Sequence, residues 1–434
     1  MRIKPWHCMR LAVAGLALAG AASLALAQGK EVKIGVIYDY TGPFAAGGST
    51  AAAIGTKIAI DMINEKGGVE GYKIHPIYAD AQSKAEVAIS EATRLLDQEK
   101  VDLIMGVYSS AHCVPMAQKV DAAKKFMWAD VCVASSVFKG KNLTHVFRAQ
   151  IHSDQYGDAT CGFLNENSKK YLHKDPKDLK IAIIHEDGPY GSGVAAAQEN
   201  ICKKDGMKIV LKEGYSATAP DLSSLVTKLR RANADVILHT GYNPDITLFW
   251  RQAKEQGLKW SALIGGGAGY GQFDKLHQAF GKEAEYIYNV DPVAAQLLDP
   301  KTLKPGLGEL TQEMVKRYKA ETKGDVVPPH VSMGFNQTWI FLTDVLPRAI
   351  KKYGGIDPES LRKAALDTDI PVGGTIQGYG VKFFPPGTEM SGQNARSSPV
   401  VMQYTGGKTN IVYPTAIKTA DPVLPIPKSS AYSK

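Results

Sequence analysis

The chain has 434 residues, of which 44% are hydrophobic and 22% are charged, which is the composition of an ordinary globular protein. At about 150 residues per domain, this length predicts two or three compact units. The formal net charge of +8 comes from scattered basic residues, with no basic run interleaved with aromatic residues. The composition therefore argues against a nucleic-acid-binding protein.

The first 27 residues have the three parts of a secretory signal peptide. Three basic residues lie within the first ten, an apolar run covers residues 11–26, and the small-residue triplet 25–27 precedes Gln28. Cys8 lies before the apolar run, which argues against a lipid anchor at the cleavage point. We expect cleavage after residue 27 and export of a soluble protein, because no later stretch reaches the roughly 20 apolar residues that a membrane-spanning helix needs.

From residue 30 to about residue 270, short apolar runs typical of strands alternate with amphipathic stretches of helical length. The predicted strands are 32–38, 74–79, 103–107, 127–131, 179–185, 208–215, 236–240 and 262–265. The predicted helices between them include 51–64, 86–98, 154–171 and 222–231. This alternation predicts an α/β fold with parallel sheets, and its two similar blocks predict two lobes in succession. Ligands of such sheets bind beyond the carboxyl ends of the strands.

Later segments depart from this alternation. Helical character dominates from residue 292 to residue 353, and after Asp367 the chain is rich in glycine, proline and short strands.

Four cysteines follow the predicted signal peptide, namely Cys113, Cys132, Cys161 and Cys202. An even number of cysteines in an oxidising compartment permits two disulfides, and four thiols allow three connectivities. Chain neighbourhood favours Cys113 with Cys132 and Cys161 with Cys202, because each pair flanks one predicted strand. Partial pairing is the alternative.

Two segments resemble enzyme motifs but lack parts that the chemistry requires. Residues 191–196 match the loose dinucleotide-binding pattern G-x-G-x-x-A, yet they begin too far beyond the predicted strand for a phosphate-binding turn. Residues 110–113 contain serine, histidine and cysteine, but the sequence has no G-x-S-x-G elbow and no identifiable third group. No H-E-x-x-H motif is present either. We therefore predict no catalytic residue, cofactor or metal site, and keep a secreted α/β hydrolase only as an alternative of another class.

Hydroxyl groups follow two neighbouring predicted strands. Tyr108, Ser109 and Ser110 precede a helix, where a small anion can bind hydroxyl groups and free backbone N–H groups. Ala134 and Ser135 follow the next strand in a similar arrangement. Capping of a helix or turn is the alternative role for these serines.

Seven segments, in their order and spacing, resemble the branched-chain-amino-acid-binding family of periplasmic proteins, the type I solute receptors of ABC importers. These segments are 32–37, 41–44, 67–71, 106–110, 153–155, 190–193 and 241–245. The resemblance implies two Rossmann-like lobes joined by a three-crossover hinge, with the ligand in the cleft between them. It also implies a monomer that captures its ligand by lobe closure and delivers it to the permease subunits of the importer.

The resemblance suggests how the chain divides between the two lobes. The N-terminal lobe is expected to contain residues 28–150 and 291–395. The C-terminal lobe and tail are expected to contain residues 151–290 and 396–434. The periplasm is the compartment that the resemblance implies.

The family's binding residues can be carried over position by position. A serine after the third strand, and an alanine and a serine or threonine after the fourth, hold the ligand carboxylate in the family, and they match Ser110, Ala134 and Ser135. Tyrosines of the second lobe complete the site in the family, and they match Tyr190 and Tyr242.

Two positions depart from the amino-acid receptors of this family. The acidic residue that neutralises the ligand's ammonium aligns with Gly267, and a bulky aromatic near the first loop is replaced by residues 46–48, Ala-Gly-Gly. Burying an ammonium without a counter-charge costs several kcal/mol. A larger carboxylate without an amino group, benzoate-like or hydroxycinnamate-like, is therefore predicted. The alternative is an amino-acid receptor in which Glu186 or Asp187 supplies the missing charge.

Aromatic residues at the predicted strand ends are expected to surround the ring of such an acid. They are Tyr38, Tyr40, Phe44, Tyr108, Tyr156 and Tyr270. The sequence therefore predicts a periplasmic solute-binding protein for a small carboxylate, with a branched-chain or other amino-acid receptor as the alternative.

Overall fold

The computed structural model describes residues 30–324 and 326–434. The predicted signal peptide, residues 1–27, lies outside the described residues. The strands are β1 Glu31–Tyr38, β2 Lys73–Asp80, β3 Leu103–Gly106, β4 Phe126–Ala129, β5 Val146–Phe147, β6 Lys180–Glu186, β7 Lys208–Tyr215, β8 Val236–Thr240, β9 Ala262–Gly266, β10 Tyr288–Asp291, β11 Val400–Thr405 and β12 Lys408–Tyr413. The α-helices are α1 Thr50–Glu65, α2 Ala85–Asp97, α3 Ser110–Ala122, α4 Ser153–Asn167, α5 Pro189–Lys204, α6 Ser223–Ala232, α7 Asn243–Glu255, α8 Phe273–Phe280, α9 Leu307–Thr322, α10 Pro329–Ile340, α11 Leu346–Tyr353 and α12 Pro358–Leu366.

Two separate sheets form the centres of the two lobes. The first sheet has the order β2-β1-β3-β4-β5, and all of its neighbouring strands are parallel. Every residue of β3 and β4 is buried, as expected for a parallel sheet that is covered on both faces. The carboxyl ends of β1, β3 and β4 therefore meet at one edge, from which the loops of this lobe project.

The second sheet has the order β12-β11-β10-β9-β8-β6-β7. Its strands β6 to β10 are parallel, whereas β11 and β12 form an antiparallel hairpin that extends the sheet beyond β10. The strands β5, β10, β11 and β12 are absent from the predicted set, and β10 matters most because its carboxyl end faces the other lobe.

The chain passes between the lobes three times. It leaves the first sheet after β5, returns after β10, and enters the second sheet again at β11. The segment in between belongs with the first sheet, since α10 packs against α1 and Trp128 Nε1 donates a hydrogen bond to Gln337 O at 3.0 Å. The predicted lobe boundaries at residues 150, 290 and 395 stay a prediction at the level of single residues.

Hydrogen bonds join the first crossover to the third. Arg148 Nε donates to Gln393 Oε1 at 2.6 Å, and Gln393 Nε2 donates to Gln150 O at 2.6 Å. The backbone N–H of Asn394 donates to Arg148 O at 2.9 Å. These bonds hold the first and third crossover segments side by side. The two crossovers therefore form one hydrogen-bonded connection between the lobes rather than two independent linkers.

Two disulfides link neighbouring elements within the lobes. Cys113 of α3 is bonded to Cys132, which follows β4, and Cys161 of α4 is bonded to Cys202 of α5. These are the pairs that chain neighbourhood favours. The first of them ties together the two segments that carry Ser110 and the residues after β4.

Within the part of the chain that the structure describes, no helix is both long enough and apolar enough to span a membrane.

Candidate ligand-binding site

A cavity lies between the two lobes, where the carboxyl ends of both sheets meet. Its lining comes from both lobes, which is the expected position for a ligand on α/β sheets. The lining residues are Tyr108, Ser110, Val131, Val133, Tyr156, Tyr190, Tyr242, Ala268, Asp291, His330 and Met333.

On the first lobe, Ser110 supplies a hydroxyl group at the beginning of α3. Its Oγ accepts hydrogen bonds from the backbone N–H groups of Val133 and Ala134 at 3.2 and 3.1 Å. Since a hydroxyl oxygen accepts two bonds and donates one, its hydrogen is left for a ligand. Ser109, in contrast, caps the helix, because its Oγ accepts from Ala111 N at 3.2 Å.

The segment after β4 turns apolar side chains toward the cavity. Val131 and Val133 line it, while the intervening Cys132 forms its disulfide with the neighbouring helix. Ala134 and Ser135 do not line the cavity. Ser135 Oγ lies 2.8 Å from Ser153 Oγ at the first crossover, so its role is structural. The positions of Ala134 and Ser135 therefore do not support the ligand-binding role that the family resemblance implies for them.

The second lobe contributes three buried tyrosines. Tyr156 lies on α4, Tyr190 lies on α5, and Tyr242 precedes α7. The ring centroids of Tyr190 and Tyr242 are 5.5 Å apart, and those of Tyr242 and Tyr108 of the first lobe are 6.5 Å apart. Four tyrosines that the sequence analysis names, Tyr108, Tyr156, Tyr190 and Tyr242, are thus brought together.

Asp291, at the carboxyl end of β10, places a carboxylate in the cavity. Its Oδ1 accepts a hydrogen bond from the Tyr156 hydroxyl at 2.9 Å. Its Oδ2 is buried and has no hydrogen-bond partner among the described residues. Burial raises the pKa of Asp291 to about 7, although the hydrogen bond from Tyr156 and the nearby Asn289 amide oppose this rise. The carboxylate therefore has one oxygen free for a ligand that carries hydrogen-bond donors or a positive charge.

Asp291 has no cationic neighbour in the cavity. No lysine or arginine lines it within the described ranges. His330 lines it from the beginning of α10, but burial lowers the pKa of His330 to about 4, so its ring is neutral at pH 7. When Asp291 ionises, the cavity therefore carries a net negative charge.

Gly267 leaves space for this carboxylate. The residue has a φ of 65°, and a Cβ atom built on it would lie 2.9 Å from Tyr156 Oη and 3.2 Å from Asp291 Oδ1. A larger side chain at position 267 would therefore displace the groups that surround the carboxylate. The inference that a glycine here leaves the site without a carboxylate is wrong, because the adjacent strand β10 supplies one.

Neither Glu186 nor Asp187 supplies the carboxylate of the cavity. The carboxylate of Glu186 accepts hydrogen bonds from the N–H groups of Gly188 and Gly191 at the beginning of α5. Asp187 is exposed to solvent. The first acid is thus used in helix capping, and the second lies on the surface beside the site.

The loop after β1 closes one side of the cleft. Phe44 packs its ring on Tyr242 of the other lobe, with centroids 4.3 Å apart. Gly48 allows His330 to approach, since a Cβ on Gly48 would lie 2.7 Å from the His330 ring. Across the cleft, Lys275 Nζ donates a hydrogen bond to the carbonyl of residue 46. The small residues 46–48 therefore do not leave the cleft open, because Phe44 provides the aromatic cover.

Two predicted contact residues lie elsewhere. The side chain of Tyr40 is 37% exposed, and its backbone N–H donates to Asp80 Oδ1 at 2.9 Å. Tyr270 is fully buried inside the second lobe, where its hydroxyl lies 2.7 Å from His239 Nδ1. The prediction that Tyr40 and Tyr270 contact the ligand fails because a strand end can direct a side chain outward or into the core.

A buried hydrogen-bond network supports the second-lobe part of the site. Trp250 Nε1 donates to Tyr270 Oη at 3.2 Å, and His239 connects Tyr270 to Tyr215 through two contacts of 2.7 Å. The Tyr215 hydroxyl then donates to Asp245 Oδ2 at 2.6 Å. We define these five residues as the Tyr215 network.

The Tyr215 network ends at a site residue. Asp245 Oδ1 accepts a hydrogen bond from the backbone N–H of Tyr242 at 2.9 Å. Burial lowers the pKa of His239 to about 3, so its ring is neutral and one nitrogen can donate while the other accepts. The network therefore fixes the backbone at Tyr242 from inside the lobe.

Comparison with known proteins identifies the family. The sequence matches the periplasmic binding protein family over residues 31–393. The chain belongs to this family. It is 35% identical over 420 residues to the Leu/Ile/Val-binding protein homolog 7 of Brucella suis biovar 1, covering 96% of this chain and 99% of that protein.

Solved structures of this family share the two-lobed fold. The branched-chain amino acid transporter substrate-binding protein LivJ from Streptococcus pneumoniae, in complex with isoleucine, superposes with a TM-score of 0.70 at 19% identity, covering 88% of this chain and 98% of that chain. A solute-binding protein of an ABC transporter from Rhodopseudomonas palustris, in complex with benzoate, superposes with a TM-score of 0.69 at 17% identity, covering 90% and 98%. The predicted fold class and family are confirmed.

Membership of this family defines the general activity. The protein is a periplasmic solute-binding protein, a receptor that binds a small molecule. The family is not enzymatic, and nothing supports the alternative of a secreted hydrolase. The described residues contain no cluster of three or more histidine, cysteine or acidic side chains suited to a metal ion.

The site also contains residues that the sequence-based prediction lacks. They are Val131, Val133, Ala268, Asp291, His330 and Met333. Asp291 had only a weak signal, because it ends a strand of four residues that also contains Asn289. Nothing in the sequence marks Val131 and Val133 as site residues, because an apolar residue at the end of a strand is as common in the protein core as at a binding site.

Proposed function

We propose that this receptor captures a small zwitterion that carries an ammonium group beside a carboxylate, of which an α-amino acid is the simplest form. The buried carboxylate of Asp291 carries this proposal. A cation that meets Asp291 Oδ2 would satisfy both its charge and its unpaired oxygen. An aromatic acid without an amino group would instead bring a second negative charge into a cavity with no cationic side chain among the described residues.

The carboxylate end of such a ligand has a separate set of partners. The Ser110 hydroxyl has a free hydrogen, and Ser110 begins α3, whose first N–H groups form the positive end of the helix dipole. Helix N-termini bind carboxylates for this reason. Ser110 on the first lobe and Asp291 on the second thus match the opposite charges of a zwitterion.

Closure follows from this division of contacts. A ligand that contacts Ser110 and Asp291 together binds the closed arrangement more tightly than an open one, and so shifts the population toward closure. The names of the Brucella relatives, which refer to leucine, isoleucine and valine, support an amino acid as the ligand. The benzoate-bound neighbour supports the fold alone, since it is 17% identical.

Ligand screening of an Asp291→Asn variant tests this proposal. We expect one or more α-amino acids in a panel that includes leucine, isoleucine, glutamate, benzoate and a hydroxycinnamate to stabilise the wild-type protein. Saturation at about 100 times the dissociation constant adds roughly 2.7 kcal/mol, which is measurable as a thermal shift. Asp291→Asn should lose this effect because the counter-charge is gone.

Asp187→Asn is the matched control, because it removes an exposed acid near the site without touching the cavity. It should respond to ligands as the wild type does. Strong stabilisation by benzoate or a hydroxycinnamate, with every amino acid silent, would contradict the proposal and favour an aromatic acid.

A further inference from the structure

A second cavity lies beside the ligand cavity, and we call it the outer cavity. It is also formed between the lobes, because its lining comes from the ranges 45–54 and 318–328 of the first lobe and the range 272–278 of the second. Two of its lining residues, Gln278 and Thr322, are exposed, so the outer cavity opens to solvent. The lining residues of the ligand cavity, in contrast, are all buried. Whatever separates the two cavities therefore separates the ligand from solvent.

The imidazole ring of His330 lies between the two cavities. His330 lines the ligand cavity, whereas its neighbours Gly48 and Gln272 line the outer cavity. A Cβ atom on Gly48 would lie 2.7 Å from His330 Nδ1, so the ring rests directly on the backbone of Gly48. Tyr108, which also lines the ligand cavity, packs on the ring with centroids 5.6 Å apart. His330 and its two outer neighbours thus form a wall between the ligand cavity and the outer cavity.

This wall is assembled from both lobes. Gln272 Nε2 lies 2.9 Å from His330 Nδ1, and both side chains are buried. An amide nitrogen donates, so Nδ1 accepts, as the neutral form of the ring allows. His330 begins α10 of the first lobe, whereas Gln272 immediately precedes α8 of the second. The hydrogen bond between them therefore forms only when the lobes are closed.

We propose that the His330–Gln272 pair sets the maximum length of the ligand, so that the receptor selects amino acids whose side chain ends at His330. This inference rests on the proposed function. With the ligand's charges at Ser110 and Asp291, its side chain lies along the face of α10 that carries His330 and, one helical turn later, Met333. A longer side chain meets the ring and separates His330 from Gln272. It therefore opposes closure and loses the affinity that closure contributes.

Titration calorimetry with straight-chain α-amino acids, from alanine to 2-aminooctanoate, tests the inference. This series keeps both charges constant and changes only the length. Each methylene group that the cavity accommodates should lower the dissociation constant by about fourfold. The first side chain that is too long should reverse this trend and raise the dissociation constant by at least roughly tenfold. In His330→Ala the trend should continue to the longest member, because the side chain can enter the outer cavity.

Two further variants separate the wall from its surroundings. Gln272→Ala leaves the ring but removes the bond that holds it, so the penalty for the longer members should fall by about fivefold. Gln278→Ala is the matched control, because it changes the exposed part of the outer cavity and leaves the wall intact. It should keep the wild-type length limit. An unchanged penalty in Gln272→Ala would contradict a role of the pair.

The position of the reversal in the series distinguishes the possible outcomes. A general structural defect in His330→Ala would weaken every member alike and leave the reversal at the same length. If the reversal stays at that length, or if the wild type shows no reversal, the inference fails and the proposed function stands. If no α-amino acid binds the wild type, both fail.

Discussion

At the scale of single residues, the titration of Asp291 couples ligand binding to pH. Burial raises the pKa of Asp291 from 3.8 to about 7. Between these values the folded protein holds a proton that the unfolded chain has lost, so the contribution of Asp291 to stability falls as the pH rises through this range. Binding of a cationic ligand group has the opposite pH dependence, because it requires the ionised carboxylate of Asp291.

Binding of a zwitterion should therefore strengthen as the pH rises toward about 7 and then level off. Below that pH, we expect the association constant to fall by roughly tenfold per unit, since one unit corresponds to about 1.4 kcal/mol. Calorimetry across this range measures the effect, using a ligand whose own groups keep their charges. Asp291→Asn, titrated at ligand concentrations high enough to detect its weakened binding, provides the control, because the other buried acids Asp39, Asp130 and Asp245 still titrate in it. Equal pH profiles of the wild type and the variant would rule out Asp291 as the titrating group.

At the scale of elements, eight of the twelve strands in the described residues could be predicted from the sequence. Eight predicted strands correspond to β1 to β4 and β6 to β9 within a few residues. Six of them are largely buried parallel strands with apolar runs, whereas the edge strands β2 and β7 are mostly exposed or half-buried. The strand β10 has two polar residues among its four, Asn289 and Asp291, so its local pattern is weak. Missing β10 also meant missing Asp291, and that omission led to the prediction of an aromatic acid.

Whether a predicted ligand contact lies at the cavity depends on the direction of its side chain. Ser110, Tyr190 and Tyr242 lie at helix beginnings that face the cleft, and the family resemblance located them. Ser135 and Tyr270 sit in suitable loops, yet their side chains turn toward the hinge and the core. That direction depends on partners distant in sequence, which no local pattern contains.

The Tyr215 network offers a test of how an element positions the site. Tyr215→Phe removes a hydroxyl that contacts both His239 and Asp245. Leaving buried polar groups unpaired costs about 1–3 kcal/mol each, so we expect a lower free energy of unfolding. Ligand binding should weaken as well, because Asp245 holds the backbone of Tyr242.

Urea denaturation and calorimetry measure these two effects separately. Tyr288→Phe is the matched control, since its hydroxyl donates to Val423 O at 2.8 Å outside the network. This control should lose some stability and keep its ligand affinity. If Tyr215→Phe also kept full affinity, the network would have no positioning role.

At the scale of the whole molecule, closure depends on contacts that one lobe makes with the other. Phe44 of the first lobe packs on Tyr242 of the second with centroids 4.3 Å apart. Such aromatic pairs contribute about 0.5–1.5 kcal/mol beyond buried area. Since the pair joins the two lobes, it stabilises the closed form and not the open one, and opening must break it before the ligand can leave.

Phe44→Ala should therefore act mainly on ligand release. We expect the dissociation rate to rise by roughly three- to tenfold, with a smaller change in the association rate, as is usual for contacts formed after encounter. Stopped-flow fluorescence with a bound ligand and an excess of competitor measures the dissociation rate. Tyr78→Ala removes a half-exposed aromatic of β2 that makes no ring contact across the cleft in the described structure, and should leave the rate unchanged. If Phe44→Ala instead slowed association and left dissociation unchanged, Phe44 would act on ligand entry, and the closed form would be held by other contacts.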